Sequence, residues 1–153
     1  MEHILIIVSV GLNGVFAGAS LDQSMKQLPA RRRIGFVVYS AHSRAADEDR
    51  GLAWYVILGV GAAIAAVAAA TTTCFEDPSA PWTTLLGMAG ALSVIQTFAT
   101  ARVTPTNFGR RHNVEEAELH QLFETFARRQ NLRSIVQLLA LLASLGALAY
   151  KLG

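Results

Sequence analysis

Charge is scarce in this chain of 153 residues: Lys and Arg number 13, Asp and Glu 11, and charged residues make up 16%. A soluble domain carries about 25%. Cysteine is reduced to Cys74, which excludes an internal disulfide and any cysteine-based metal cluster. The sequence has no GxSxG, no Walker loop and no GxGxxG, so hydrolase, nucleotide and dinucleotide chemistry find no support. The histidines, His3, His42, His112 and His120, form no HxxxH or ExxH pair, so a metal site is not expected.

What the chain has instead is apolar length. It is 52% hydrophobic, with a mean hydropathy of +0.37. A membrane span needs roughly 20 mostly apolar residues, and four stretches qualify: about 4–21, 52–73, 82–103 and 132–152. The first resembles a signal peptide at Ala17-Gly18-Ala19. However, Met1-Glu2-His3 contains no basic residue, so a retained helix is expected. The predicted fold is all-α, a single membrane domain over 1–153 built as a four-helix bundle.

Orientation follows from the basic residues. The first connection holds Lys26, Arg31, Arg32, Arg33, Arg44 and Arg50, and the third holds Arg110, Arg111, Arg128 and Arg129. The second, CFEDPSAPW, has Glu76 and Asp77 and no base. The positive-inside rule then puts the first and third connections in the cytoplasm and both termini outside, in a multi-pass cell-membrane protein. A pI near 9.0 fits contact with anionic lipid better than a nucleic-acid partner.

Both basic connections carry helical patterns. After Pro29, Ile34, Val37, Val38 and Ala41 recur at helical spacing, as in an amphipathic helix lying in the cytoplasmic interface. In the third connection Asn113 and Glu116 have capping-box spacing, and Leu119, Leu122, Phe123 and Phe126 mark one apolar face. No Gly or Pro interrupts 114–145, so this helix is expected to run into the fourth span, with a bend near Asn131.

Small residues thin the spans: Gly14-x-x-x-Gly18, Gly59, Gly61 and the alanines of 62–70, Gly87 and Gly90. Helix association in lipid relies on close packing and interhelical hydrogen bonds, so these residues are expected at helix contacts, and a homodimer is plausible. Polar groups within the spans are few. Asn13, Gln96, Gln137 and Arg133, with Trp54 and Tyr55 at the start of the second span, all fall in the middle or the inner half. The functional reading is a pocket opening inward, in which Arg133 supplies charge, the three amides orient a ligand and the two aromatic rings form walls. The bland alternative is that Arg133 snorkels as an anchor and the amides hold helices together. No Asp or Glu lies within a span, which argues against a proton-coupled exporter.

The order of a Gly-rich first span, Leu28-Pro29, YSAHSRAADEDRGLAWY before the second span, Pro105-Thr106-Asn107 after the third and FARRQNLRSIVQLLALL opening the fourth resembles a family of small four-helix membrane proteins. It is a domain-of-unknown-function family that includes the fungal anthrone oxygenases. The resemblance implies oxidation of an anthrone to an anthraquinone by molecular oxygen without a cofactor. Carried over by position, it implies Asn107 and Arg133 as pocket residues, with Asp49 and His112 beside them. His112 or His42 would act as base and Arg133 would stabilise the developing oxyanion. The alternatives are a non-enzymatic protein that binds or moves a lipid-like small molecule, and a scaffold whose cytoplasmic helices recruit a partner.

Overall fold

The computed structural model describes residues 2–46, 50–110 and 116–152, with side chains described in these ranges except at 2, 52, 101–119 and 122. Among the described residues the chain is helical, with no strand. α1 (Glu2–Asp22) continues through a widened π-helical turn (Gln23–Gln27) into α2 (Leu28–Ile34). α3 (Phe36–Ala46), α4 (Leu52–Glu76), α5 (Pro81–Arg110) and α6 (Glu116–Leu152) follow. Four segments are long and apolar enough to cross a membrane: His3–Ile34, Ala53–Glu76, Pro81–Thr100 and Phe123–Leu152.

The first helix departs from expectation. The chain does not leave the helix at an LP loop, because Leu28 and Pro29 are helical. Proline has no N–H to donate to the carbonyl four residues back, and its ring crowds that carbonyl. The π turn just before Pro29 widens the helix there and lets it continue. The break comes at Gly35, whose φ of 86° and ψ of 153° suit only glycine. Its N–H donates to the Arg31 carbonyl at 3.1 Å and closes α2, while its own carbonyl accepts from the Tyr39 N–H at 3.1 Å and opens α3. α5 likewise runs past the expected end of the third span to Arg110. α6 is one helix of 37 residues, unbroken at Asn131. Asn113 and the side chains of Glu116, Leu119 and Leu122 lie outside the described residues.

Burial follows a seam of three- and four-residue steps. On α1 it runs through Ile6, Ser9, Asn13, Phe16 and Ser20, and on α6 through Gln130, Ser134, Gln137, Ala140, Ser144 and Ala147. That spacing keeps one stripe of each helix facing its neighbours. Apart from Ile6 and Phe16, the contents of the seam are small or polar. The large aliphatic side chains sit outside, including Ile7 and Val15 on α1, Ile57 and Ile64 on α4, and Ile135 and Leu142 on α6. A bundle folding in water shows the reverse arrangement. An exterior more apolar than the interior is what lipid requires, since packing and hydrogen bonds hold helices together there.

The glycines divide on contact. A Cβ at Gly59 would stand 3.2 Å from Phe16 Cζ, and one at Gly90 would stand 3.6 Å from the Ala66 carbonyl oxygen, so α4 meets α1 and α5 closely at these points. Ala62, Ala66 and Ala69 line the same contacts and are buried. By contrast, Gly11, Gly18 and Gly87 meet nothing within 4 Å, and Gly14 meets only Leu141 Cδ1 at 3.8 Å. The Gly14-x-x-x-Gly18 face therefore makes no close approach within the bundle, contrary to the expectation drawn from its spacing.

Candidate functional site

The bundle's polar groups gather toward the end that carries α2 and α3. Asn13 is the first of them and is fully buried. Its Nδ2 donates to the Ser9 carbonyl at 2.9 Å, one turn back on α1. Its Oδ1 accepts from Ser93 Oγ of α5 at 3.2 Å and from Gln137 Nε2 of α6 at 2.9 Å. One amide thus joins three helices, and the glue reading expected for Asn13 is realised in these bonds. Such bonds contribute about 0.6 kcal/mol each on average in a membrane.

A second knot lies further toward the basic end. Ser134 Oγ donates to the Ser20 carbonyl at 2.9 Å and stands 2.6 Å from Ser24 Oγ. Gln130 Nε2 donates to the same Ser20 carbonyl at 3.4 Å. Between the two knots sits Gln96. Leu85 Cδ1 is 3.4 Å from the Cβ position of Gly146. Counting equally along the antiparallel helices from that contact brings Gln96 level with the α6 stretch between Arg133 and Gln137. Thr97 beside it donates to the Gly59 carbonyl of α4 at 3.3 Å, so this level faces α4 as well.

What sets this stretch apart is polar capacity left over. Gln96 is 2% exposed, and neither its Nε2 nor its Oε1 has a hydrogen-bond partner. Gln130 Oε1, Gln137 Oε1, Arg133 Nε and Ser20 Oγ are also buried without one. Among the described residues the remaining such atoms are Arg31 Nε and Trp82 Nε1, which lie elsewhere. A buried polar group left unsatisfied costs about 1–3 kcal/mol. These atoms lie along about two turns of α6, and those of Gln96, Arg133 and Gln137 at its upper end leave room in the hydrogen-bond count for a polar occupant.

Tyr55 is half-buried and its hydroxyl interacts electrostatically with Arg133, so these two are brought together. Trp54 is not part of the cluster: it is 54% exposed, on the outer surface of α4. Asp49 and His112 lie outside the described residues, as does the side chain of Asn107. His42 is exposed on α3. His120, also exposed, packs edge-on to Phe36 with ring centroids 4.7 Å apart. No cluster of three or more His, Cys, Asp or Glu suited to a metal occurs among the described residues.

Inspection of the spans for strongly polar residues missed Ser9, Ser20, Ser93, Ser134 and Gln130. The signal was present in the seam spacing, where Ser9, Asn13 and Ser20 recur on α1 and Gln130, Ser134 and Gln137 on α6. Comparison with protein-family models, curated proteins and solved structures finds no match for this chain.

Proposed function

We propose that this protein is a multi-pass protein of the cell membrane, with both termini outside, that binds an apolar small molecule by a polar head held among Gln96, Arg133 and Gln137. The observation that carries the reading is the set of buried, unpartnered polar atoms on Gln96, Arg133 and Gln137. The orientation rests on the basic connections. The interfacial placement of α3 is supported by its inverted faces: Tyr39 and Ser40 are buried against the protein, whereas Val37 and Val38 are 57% and 59% exposed.

Oxygenase chemistry is the enzymatic form of this proposal. A flat anthrone-type ketone would enter from lipid, lose a ring-methylene proton to a base at the basic end and add O2 at that carbon as its anion. The protonated peroxide would lose water to leave the quinone, with one O2 consumed and one water released. Arg133 would stabilise the charge beside Tyr55. The test is oxygen uptake by the purified protein with a simple anthrone, run against Arg133→Leu and a protein-free control. Protein-dependent uptake lost in the variant supports catalysis. Uptake no greater than the control leaves ligand binding as the function. A scaffold role for the basic connections would instead leave function indifferent to Arg133 and sensitive to charge reversal at Arg128 and Arg129, which are exposed.

A further inference from the structure

The unpartnered atoms also constrain the chemistry of what fills them. A glutamine offers two donors and one acceptor, and its orientation is decided by its neighbours. Gln137 Nε2 faces two acceptors, the side-chain and main-chain oxygens of Asn13, at 2.9 and 3.4 Å. Gln130 Nε2 faces the Ser20 carbonyl. Neither amide can be turned over without setting oxygen against oxygen, so Oε1 of each is the atom left open. Gln96 has both ends open, Ser20 Oγ is open, and Arg133 presents one N–H. Gln137 Oε1 is therefore a fixed acceptor at the level of Gln96, and Gln130 Oε1 is a second one about two turns away along α6. Beside Gln137 stand Arg133 Nε as a fixed donor and the Gln96 amide, which can turn its acceptor or its donors toward an occupant.

We infer that the site takes a molecule with a hydroxylated head, one that brings at least two O–H donors together with a single acceptor oxygen, on an apolar body. This rests on the reading of the cluster as a ligand site. A carboxylate or phosphate head would bring acceptors only: it could take the N–H groups of Arg133 and Gln96 but would leave Gln137 Oε1 unsatisfied. A head with a carbonyl alone would satisfy Arg133 Nε or Gln96 Nε2 and nothing else. A glycerol-like or polyhydroxyaryl head meets both requirements. The outer faces of the four long helices are apolar, so a body emerging between them would lie in lipid.

The experiment uses the full chain in an amine-oxide detergent, which has no hydroxyl to compete. Native mass spectrometry follows retention of two probes with the same acyl chain and ester carbonyl: 1-monooleoylglycerol, with two hydroxyls, and methyl oleate, with none. The expected result is saturable one-to-one retention of the monoglyceride, about tenfold or more tighter than the methyl ester. That preference should vanish in Gln96→Leu and in Gln96→Met. Both variants should fold, because the Gln96 amide makes no side-chain bond that either would break; circular dichroism and gel filtration check this. Equal saturable retention of the two probes overturns the hydroxylated head while leaving the ligand site standing. Saturable retention of neither, unchanged in the variants, overturns the ligand site as well and leaves these atoms to water.

Discussion

The Arg31 guanidinium donates from Nη1 to the Phe123 carbonyl at 2.8 Å and at the same time stands over the Phe123 ring, 5.2 Å from its centroid. Phe36 covers the guanidinium at 5.4 Å, and Nη2 reaches Glu124 Oε1 at 3.4 Å. Tyr39 completes the knot, its ring 5.5 Å from that of Phe123. This contact, distant in sequence, fixes α2 and α3 against the start of the α6 membrane segment.

Arg31→Leu should therefore release α3 without unfolding the bundle. Charged hydrogen bonds of this kind contribute about 1.5–3 kcal/mol. Hydrogen exchange is expected to rise over 36–46 and stay slow over 82–100. Arg31→Lys should not restore protection, since an ammonium lacks the planar fork that reaches Phe123 and Glu124 together. Equal exchange in wild type and Arg31→Leu would show that α3 is held by other contacts.

Asn13→Leu removes the acceptor shared by Ser93 and Gln137. Unfolding in mixed micelles is expected to show a loss of about 1–2 kcal/mol, a little above the average for interhelical bonds because two of them go. Gly18→Ala, at a position with open space around it, should change stability by a few tenths of a kcal/mol at most. The ranking of the two variants is the measurement that matters.

At Gly59 a methyl group would press on the Phe16 ring at 3.2 Å. Gly59→Ala should destabilise by about 1 kcal/mol or more, as overpacking does. Phe16→Leu, combined with it, should recover part of that loss by clearing the ring. A double-mutant cycle reads the coupling directly. Additive effects would mean that the two helices separate freely at this point.

Topology has a simple probe because Cys74 is the only thiol. With Cys74→Ser as background, a cysteine at Ser79, exposed in the short turn between α4 and α5, is expected to react with an impermeant maleimide on intact cells. One at Arg129 should react only after the membrane is opened. The opposite pattern would reverse the orientation proposed from the basic residues.

The sequence by itself determined the number of long helices, their approximate places and the end at which polar groups gather. Hydropathy over a span-length window is a local property, and Asn13, Gln96, Arg133 and Gln137 are conspicuous against the apolar residues around them. Tertiary structure decided what those residues meet. Arg31 reads as one more exposed base in a basic run, and only the fold of α2 and α3 against α6 makes it a buried clamp. Trp54 and Tyr55 are neighbours in sequence with equal claims on a pocket, yet the 100° step between successive helical positions sends Trp54 to the surface and Tyr55 toward Arg133. Gly18 and Gly59 likewise differ by what stands opposite, open space for one and the Phe16 ring for the other. A glycine, a serine or an arginine carries no mark of its partner, because the partner is supplied by another helix whose rotation and depth are set by the packing of the whole bundle.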